Sequence, residues 1–275
     1  MPSASPILHS LRQTISLIGR DGTRVMSSPE DHRALLGHAM IDAALGGGLM
    51  RGSLHDILPA SPADHAAASG FALALIACLT GKQDWIWIRQ DIVDREKGRP
   101  YGPGLAGFGL DPRQTIHVVT RDIDDMLKAT EDSLRCGALG AVLCEPWGEA
   151  KSLDLTATRR LTLAAEMSGV PLIMLRRGHG DMPTAARTRW RIAPAPSVNT
   201  QANTSTATTG PGHARFSVSL VVNRQRDAAA PQGFWITEWC HGERSFRSAD
   251  HVGDLSLSAD RPPDTVGARS RRAAR

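Results

Sequence analysis

Residues 39–64 read AMIDAALGGGLMRGSLHDILPASPAD, and this stretch decides the fold. Its glycine run, Gly46-Gly47-Gly48, is the expected end of a helix. A short apolar strand is predicted at residues 53–58, and Ser61-Pro62-Ala63-Asp64 then opens an alanine-rich helix. A helix, a strand, a turn and a second helix in this order are typical of an α/β domain.

The first of these helices is expected over residues 29–45. Ser28 provides a hydroxyl cap, Pro29 occupies the first helical position, and Glu30 and Asp31 place acids in the first turn. Together they predict where the helix begins.

Apolar strands and helices then alternate along the chain. The predicted elements are a strand at 85–88, a Gly/Pro-rich loop at 98–109, a strand at 115–119, a helix at 123–136, a strand at 138–144, a helix at 153–168 and a strand at 170–175. Strands that are apolar throughout must be covered on both faces. The sequence therefore predicts an α/β fold with a mostly parallel sheet flanked by helices.

The C-terminal part of the chain has a different composition. Residues 196–213 contain no leucine, isoleucine or aromatic residue and no charge apart from one histidine, which indicates a flexible insert. Residues 215–224 and 233–239 alternate in polarity and predict a hairpin that extends the sheet, connected by 227–232. The expected segments are an N-terminal segment at 1–28, the α/β core at 29–195, the insert at 196–213, further strands of the same domain at 214–240, and a disordered Arg-rich tail at 241–275.

The formal net charge of +4 comes from the end of the chain. Residues 265–275 contain no acid and four arginines, Arg269, Arg271, Arg272 and Arg275, which leaves 28 basic and 28 acidic residues elsewhere. A neutral body argues against a large phosphate-binding face. The tail is a candidate contact for DNA or for an acidic partner, and a solvated, disordered end is the alternative.

Composition also bears on compartment and metal binding. No stretch approaches eighteen consecutive apolar residues and the N-terminus lacks a signal-peptide pattern, so we expect a cytoplasmic protein with no membrane span. The cysteines lack CxxC spacing and the histidines lack zinc-finger spacing, which favours reduced thiols and no metal site. The cysteines are Cys78, Cys136, Cys144 and Cys240.

The turn between the first strand and its helix is the natural anion site of an α/β sheet, because helix N-terminal amides converge there. Here the turn spans residues 58–65 and contains Pro59, Ala60, Ser61, Pro62 and Asp64. A phosphate-binding loop needs glycines and a lysine, whereas the two prolines remove amides and Asp64 adds a negative charge. We interpret the turn as structural, with a working nucleotide site as the alternative.

Other polar residues give weak signals for catalysis. Glu145 ends a strand where a magnesium-binding carboxylate would lie, with Glu149 nearby, but a solvated or helix-capping acid is the favoured interpretation. Asp122 is expected to cap a helix, and His117 is interpreted as a satisfied sheet residue rather than a general base. The sequence contains no GxSxG motif. No catalytic residue and no enzymatic activity are therefore predicted.

The segment 39–57 resembles the opening of RecA-family cores, in which a helix ending in LD..LGGGL turns through RG into the strand before the nucleotide loop. The later elements keep the RecA order over roughly residues 35–240. Within this superfamily the chain is most similar to the ImuA family, RecA-like accessory proteins of the bacterial mutasome. The resemblance implies a RecA-like sheet and a role in damage-induced translesion synthesis. It also implies work with ImuB, an inactive relative of Y-family polymerases, and with an error-prone replicative-type DNA polymerase subunit.

Three departures from RecA shape the functional expectation. Residues 58–68 lack the loop glycines and lysine, Arg89-Gln90-Asp91 replaces the stretch that holds the RecA catalytic glutamate, and the segments after Glu145 and Arg177 are short for DNA-binding loops. We therefore expect a non-catalytic adaptor without a cofactor, whose basic tail contacts ImuB or DNA. The alternatives are a residual NTPase that uses Glu145 and a pocket around residues 59–65, and a SulA-like inhibitor of cell division.

Overall fold

The computed structural model describes residues 7, 10, 11, 13–15, 32–148, 150–177, 182–197, 212–225 and 233–249. The strands in these ranges are β1 Arg33–Ala34, β2 Leu49–Met50, β3 Leu54–Pro59, β4 Trp85–Gln90, β5 Thr115–Thr120, β6 Ala141–Glu145, β7 Leu172–Leu175, β8 Thr188–Pro194, β9 Arg215–Asn223, β10 Gly233–Cys240 and β11 Ser245–Ser248. The α-helices are α1 Ala39–Ala44, α2 His65–Thr80, α3 Asp91–Lys97, α4 Gly102–Gly107, α5 Ile123–Leu134 and α6 Leu155–Ser168. Short 3-10 turns lie at Pro62–Asp64 and Pro112–Gln114.

Nine of these strands form one sheet in the order β11-β10-β9-β8-β3-β7-β6-β4-β5. The strands from β8 to β5 pair in parallel. The strands β9, β10 and β11 continue the sheet in antiparallel pairs. The predicted α/β class is confirmed: the sheet is mostly parallel and is extended by a C-terminal hairpin.

Alternate residues of the parallel strands enter two separate cores. On β4, Trp85 and Trp87 join the core formed with α2, whereas Ile86 and Ile88 join the core formed with α5 and α6. All six residues of β4 are buried for this reason. The two covered faces explain why the strands read as continuous apolar runs.

Helix α2 is the central helix of one core. The stretch Pro62–Thr80 is long and apolar enough to cross a membrane by length and composition alone. Ten of the sixteen residues of α2 are buried, and the helix packs against β3, β6, β7 and β8. Its apolar character is thus accounted for by the core of the domain.

The helix predicted over residues 29–45 is wrong at its N-terminal end. Helix α1 begins only at Ala39, and the residues before it form β1, which pairs with β2. The carboxylate of Asp42 accepts hydrogen bonds from the backbone N–H groups of Leu36 at 2.9 Å and Gly37 at 3.0 Å, which holds this segment out of the helix. His38 caps α1 instead of Ser28. The glycine run does end the helix, as predicted.

Four further elements differ from the expectation. Helix α4 lies inside the predicted loop at 98–109, α3 and β8 have no predicted counterpart, and β11 lies inside the predicted disordered tail at 241–275. In β11, Phe246 is fully buried with its ring 5.0 Å from that of Trp239, and its N–H donates to Leu36 O at 2.7 Å. One buried aromatic residue in a polar stretch gives little sequence signal, so the strand was not predicted. The contacts of Phe246 with Trp239 and Leu36 hold β11 in the sheet.

Several predicted segments lie outside the described residues. They are Ser28–Asp31, residues 198–211 of the insert, the connection at 227–232, and the tail from residue 250 onward. The division of the chain into these segments stays a prediction.

Gly47 and Gly48 provide a matched test of the turn after α1. Both have positive φ, +104° and +112°, so alanine is strained at either position. A Cβ on Gly48 would lie 2.6 Å from Ala34 O, whereas the nearest atom to a Cβ on Gly47 is 3.9 Å away. We expect Gly48→Ala to lower the free energy of unfolding by about 2 kcal/mol more than Gly47→Ala. Urea unfolding followed by circular dichroism measures both, and equal losses would contradict the close packing.

Candidate functional site

The loop between β3 and α2 closes on itself at the position where an α/β sheet binds anions. The N–H and the hydroxyl of Ser61 both donate to Asp64 Oδ2, at 2.9 and 2.7 Å. The N–H of Ala60 donates to Ile192 O at 2.7 Å, and Pro59 and Pro62 have no N–H to offer. The side chain of Asp64 thus binds both donors of Ser61, which lies where a phosphate-binding loop would face its ligand.

A buried cluster of charges lies beside this loop, at the carboxyl ends of β4 and β6. Arg89 and Glu145 are in register on these neighbouring strands, and Arg89 Nε donates to Glu145 Oε2 at 2.9 Å. His65 Nε2, in the first turn of α2, lies 3.1 Å from Glu145 Oε1. Arg89 Nη1 also donates to Asp94 Oδ1 of α3 at 2.6 Å. The Glu145 side chain is only 2% exposed.

Glu145 is therefore neither solvated nor a helix cap, and the favoured interpretation from the sequence is wrong. It is one half of a buried ion pair whose partner comes from the adjacent strand. A buried carboxylate persists only when it is paired and hydrogen-bonded, and Arg89 and His65 meet that requirement here. The strand-end acid and the arginine of the Arg89-Gln90-Asp91 segment were both visible in the sequence, but their pairing was not.

His117 lies at the edge of the same cluster. Its Nε2 is 3.6 Å from Asp94 Oδ1, and burial lowers the pKa of His117 below its ordinary value. Its Nε2 makes no hydrogen bond within the described ranges. Asp122 caps α5 by accepting from the N–H of Asp125 at 2.8 Å, as predicted.

A second buried charge cluster, which sequence reasoning missed, connects β3, β7 and β8. Asp56 is completely buried on β3. Its Oδ2 accepts from the Thr184 hydroxyl at 2.7 Å and from Arg189 Nη2 at 3.2 Å, and its Oδ1 lies 3.7 Å from Arg176 Nε. The available signal was an acid within a strand that is mainly apolar, which points to a buried cationic partner.

An aromatic contact lies at the same edge of the sheet, just after β6 and β7. The Arg177 guanidinium carbon is 4.0 Å from the centre of the Trp147 ring, and burial lowers the pKa of Arg177. The N–H of Trp147 donates to Gln90 Oε1 at 2.6 Å. These contacts join the loop after β6 to β4 and to the end of β7.

An open cleft of about 430 Å³ lies over the Arg89–Glu145 pair. One wall is the N-terminus of α2 with Pro62 and His65, and the other is the segment Lys97–Pro100. The floor contains Trp87, Arg89 and Glu145. The structure thus places the predicted loop and Glu145 together in one cleft.

His55 holds β3 against its neighbours through a directional chain of hydrogen bonds. His55 Nε2 lies 2.8 Å from Met50 O, which only accepts, so Nε2 carries the proton. Nδ1 then accepts from the Thr188 hydroxyl at 2.8 Å, and Thr188 in turn accepts from Trp190 Nε1 at 2.8 Å. Burial lowers the pKa of His55 to about 4.

The four cysteines are free thiols, with Cys78 half-buried and the other three buried. Burial raises the pKa of Cys78 and of Cys144 to about 12. Within the part of the chain that the structure describes, no group of three or more His, Cys, Asp or Glu residues could hold a metal ion. Glu149 and the tail arginines Arg269, Arg271, Arg272 and Arg275 lie outside the described residues.

Comparison with known proteins gives two curated relatives and a solved structure. No family model matches the chain. It is 32% identical over 243 residues to Protein ImuA from two strains of Caulobacter vibrioides, NA1000 / CB15N and ATCC 19089 / CIP 103742 / CB 15, covering 81% of this chain and 91% of each relative. The crystal structure of the RadB recombinase matches with a TM-score of 0.47 and 14% identity, over 78% of this chain and 99% of that one.

Because His55 is buried in its neutral form, we expect the free energy of unfolding to fall at acidic pH. The unfolded chain binds a proton near pH 6.5 and the folded chain only near pH 4, so stability is lost as the pH falls between these values. The loss attributable to His55 is on the order of 3 kcal/mol. Unfolding free energies measured by urea denaturation should show a steeper pH dependence for wild type than for His55→Gln. Equal slopes would contradict the buried neutral assignment.

Removal of Glu145 should destabilise the domain, because it leaves Arg89 buried without its carboxylate partner. We expect Glu145→Ala to lower the free energy of unfolding by about 3–5 kcal/mol. Glu243→Ala is the matched control, since Glu243 pairs with Arg247 on the surface with 54% of its side chain exposed. That control should change stability by about 0.5 kcal/mol. Thermal and urea unfolding compare the two variants, and a small loss for Glu145→Ala would refute the structural role.

Proposed function

Because the chain belongs to the ImuA family, we propose that it is a non-catalytic, RecA-like adaptor of the translesion-synthesis mutasome. In this role it binds ImuB and, through ImuB, an error-prone replicative-type DNA polymerase subunit. It acts in the cytoplasm, without a membrane, and supports error-prone tolerance of DNA damage.

The proposal that the protein is non-catalytic rests on the hydrogen bonds from Ser61 to the carboxylate of Asp64. A nucleotide would have to displace this carboxylate from the loop donors and then lie next to it. Two like charges a few ångströms apart in a partly desolvated cleft repel each other strongly. The loop also lacks the lysine that would offset the charge of the β- and γ-phosphates.

The charge clusters support a scaffold role. Glu145 is paired with Arg89 within the protein, and Asp56 is paired with Arg176 and Arg189. In a nucleotide-driven protein, groups at this edge of the sheet would be available to a phosphate or a metal ion. Here the carboxylates are held by protein cations, so the edge keeps its geometry without a bound ligand. A domain whose carboxylates are paired internally in this way suits the docking of other proteins.

The basic tail is the proposed contact for ImuB or for DNA. Arg269, Arg271, Arg272 and Arg275 place four positive charges within seven residues. If each arginine contacts one phosphate, the affinity for DNA falls with salt with a log–log slope of at most about four in magnitude.

Binding to ImuB is the direct test. We expect the purified full-length chain to capture ImuB, and loss of capture after truncation at Pro263 would place the contact in the tail. Failure of the full-length chain to bind ImuB, together with normal damage-induced mutagenesis after gene deletion, would refute the adaptor role.

The residual-NTPase alternative has its own measurement. Isothermal titration of the wild-type protein with Mg-ATP should give no saturable heat, because the Asp64 carboxylate repels the phosphates. A saturable isotherm accompanied by phosphate release would overturn the non-catalytic part, whatever the result with ImuB.

A further inference from the structure

The cleft beside α2 has an excess of positive charge that the protein does not neutralise. Arg89, at its floor, is engaged by Glu145 and Asp94 and is only 4% exposed. Lys97 and Arg99, on the rim, are both exposed. Arg99 reaches Asp94 only at 4.0 Å, and that carboxylate is already bound by Arg89 at 2.6 Å. The two rim cations are thus available to a ligand.

The opposite wall of the cleft is the N-terminal end of α2, a helix of sixteen residues. The Asp64 carboxylate lies at this end and offsets the partial positive charge of the helix dipole. The His65 ring faces the same space, and its Nδ1 has no hydrogen-bond partner in the described part of the chain. The positive charge of the cleft therefore comes from its rim, where Lys97 and Arg99 are complementary to negative charge.

We propose that this cleft docks an acidic segment of the protein partner, so that aspartate or glutamate side chains of the partner reach Lys97 and Arg99. This assignment rests on the proposed function and adds a second contact with the partner, at the cleft, to the one proposed for the basic tail. The cleft volume of about 430 Å³ accommodates a few side chains of an extended peptide.

The lining favours a peptide over a nucleotide. Pro62, Pro100 and Ala66 give the walls apolar surface, and Trp87 contributes to the floor. Asp64 and Glu145 stand near the place where a triphosphate would concentrate its charge, whereas separate carboxylates on a peptide can engage the rim and avoid them. Complementary charge at a rim of this kind steers association and selects partners.

Arg89 acts as a positioning residue for the rim. Its Nη1 donates to Asp94 Oδ1 and also to Gly98 O at 3.0 Å, which ties the segment between Lys97 and Arg99 to the floor. The wall is therefore preorganised by a buried cation that does not itself contact the partner.

The test combines a defined acidic probe with a charge-matched control. The probe is a fluorescently labelled hexaglutamate peptide, titrated at low salt into the full-length wild type and two double variants. The cleft variant is Lys97→Glu with Arg99→Glu. The control is Lys128→Glu with Arg159→Glu, which reverses two exposed charges on α5 and α6, on the opposite face of the sheet. All four side chains are exposed, and circular dichroism verifies that each variant is folded.

We expect saturable binding of hexaglutamate that the cleft variant weakens about tenfold, while the control changes affinity by less than about twofold. No saturable binding to the wild type, or equal weakening in both variants, would overturn the assignment. Tighter binding of Mg-ATP or of an oligothymidylate, lost in the cleft variant, would identify a nucleotide or nucleic-acid site and would also overturn it.

Capture of ImuB by the same three proteins separates this assignment from the adaptor role. Capture by the wild type and the control but not by the cleft variant supports both. Equal capture by all three leaves the adaptor role intact and refutes the cleft as its docking site. If none captures ImuB but hexaglutamate binding depends on Lys97 and Arg99, the adaptor role fails and the cleft remains an acidic-peptide site.

Discussion

Arg89 and Glu145 form a buried ion pair across neighbouring strands, and the geometry of the sheet's carboxyl edge depends on it. The pair joins β4 to β6, and through His65 and Asp94 it also reaches the start of α2 and helix α3. Breaking a buried pair leaves an uncompensated charge in the interior, which is far more destabilising than losing a surface pair. The walls of the cleft are thereby held in place by the protein's own charges.

The same arrangement connects structure to function in this member of the ImuA family. A parallel α/β sheet normally leaves donors at the turn after its first strand free for a ligand. In this chain the Asp64 carboxylate binds the N–H and hydroxyl of Ser61 in that turn, and Glu145 is bound by Arg89 and His65. Two exposed cations of the cleft lining, Lys97 and Arg99, lie on its rim. These internal contacts support the proposed docking role.

Local chemistry explains which features were predictable. The apolar runs of β4 and β6, the glycine stop after α1 and the capping of α5 by Asp122 each depend on neighbouring residues, and each was predicted. The lack of a phosphate-binding loop at residues 58–65 was also predictable from the sequence, because proline lacks an N–H in any conformation. The helix expected at 29–45 failed because Asp42 binds Leu36 and Gly37, a contact that helix-start signals do not reveal.

By itself, the sequence determined the α/β class, the parallel core and the loss of the phosphate loop, since periodicity and residue type decide these locally. Only the tertiary structure decided that Glu145 is buried and paired, that Asp56 meets Arg189, and that Ser245–Ser248 joins the sheet. Each of these contacts joins residues that the order of the strands brings together. Arg89 and Glu145 are 56 positions apart in the sequence, and Asp56 and Arg189 are 133 positions apart. A contact between distant residues produces no periodic pattern in the sequence, because the residues next to each partner do not depend on that contact.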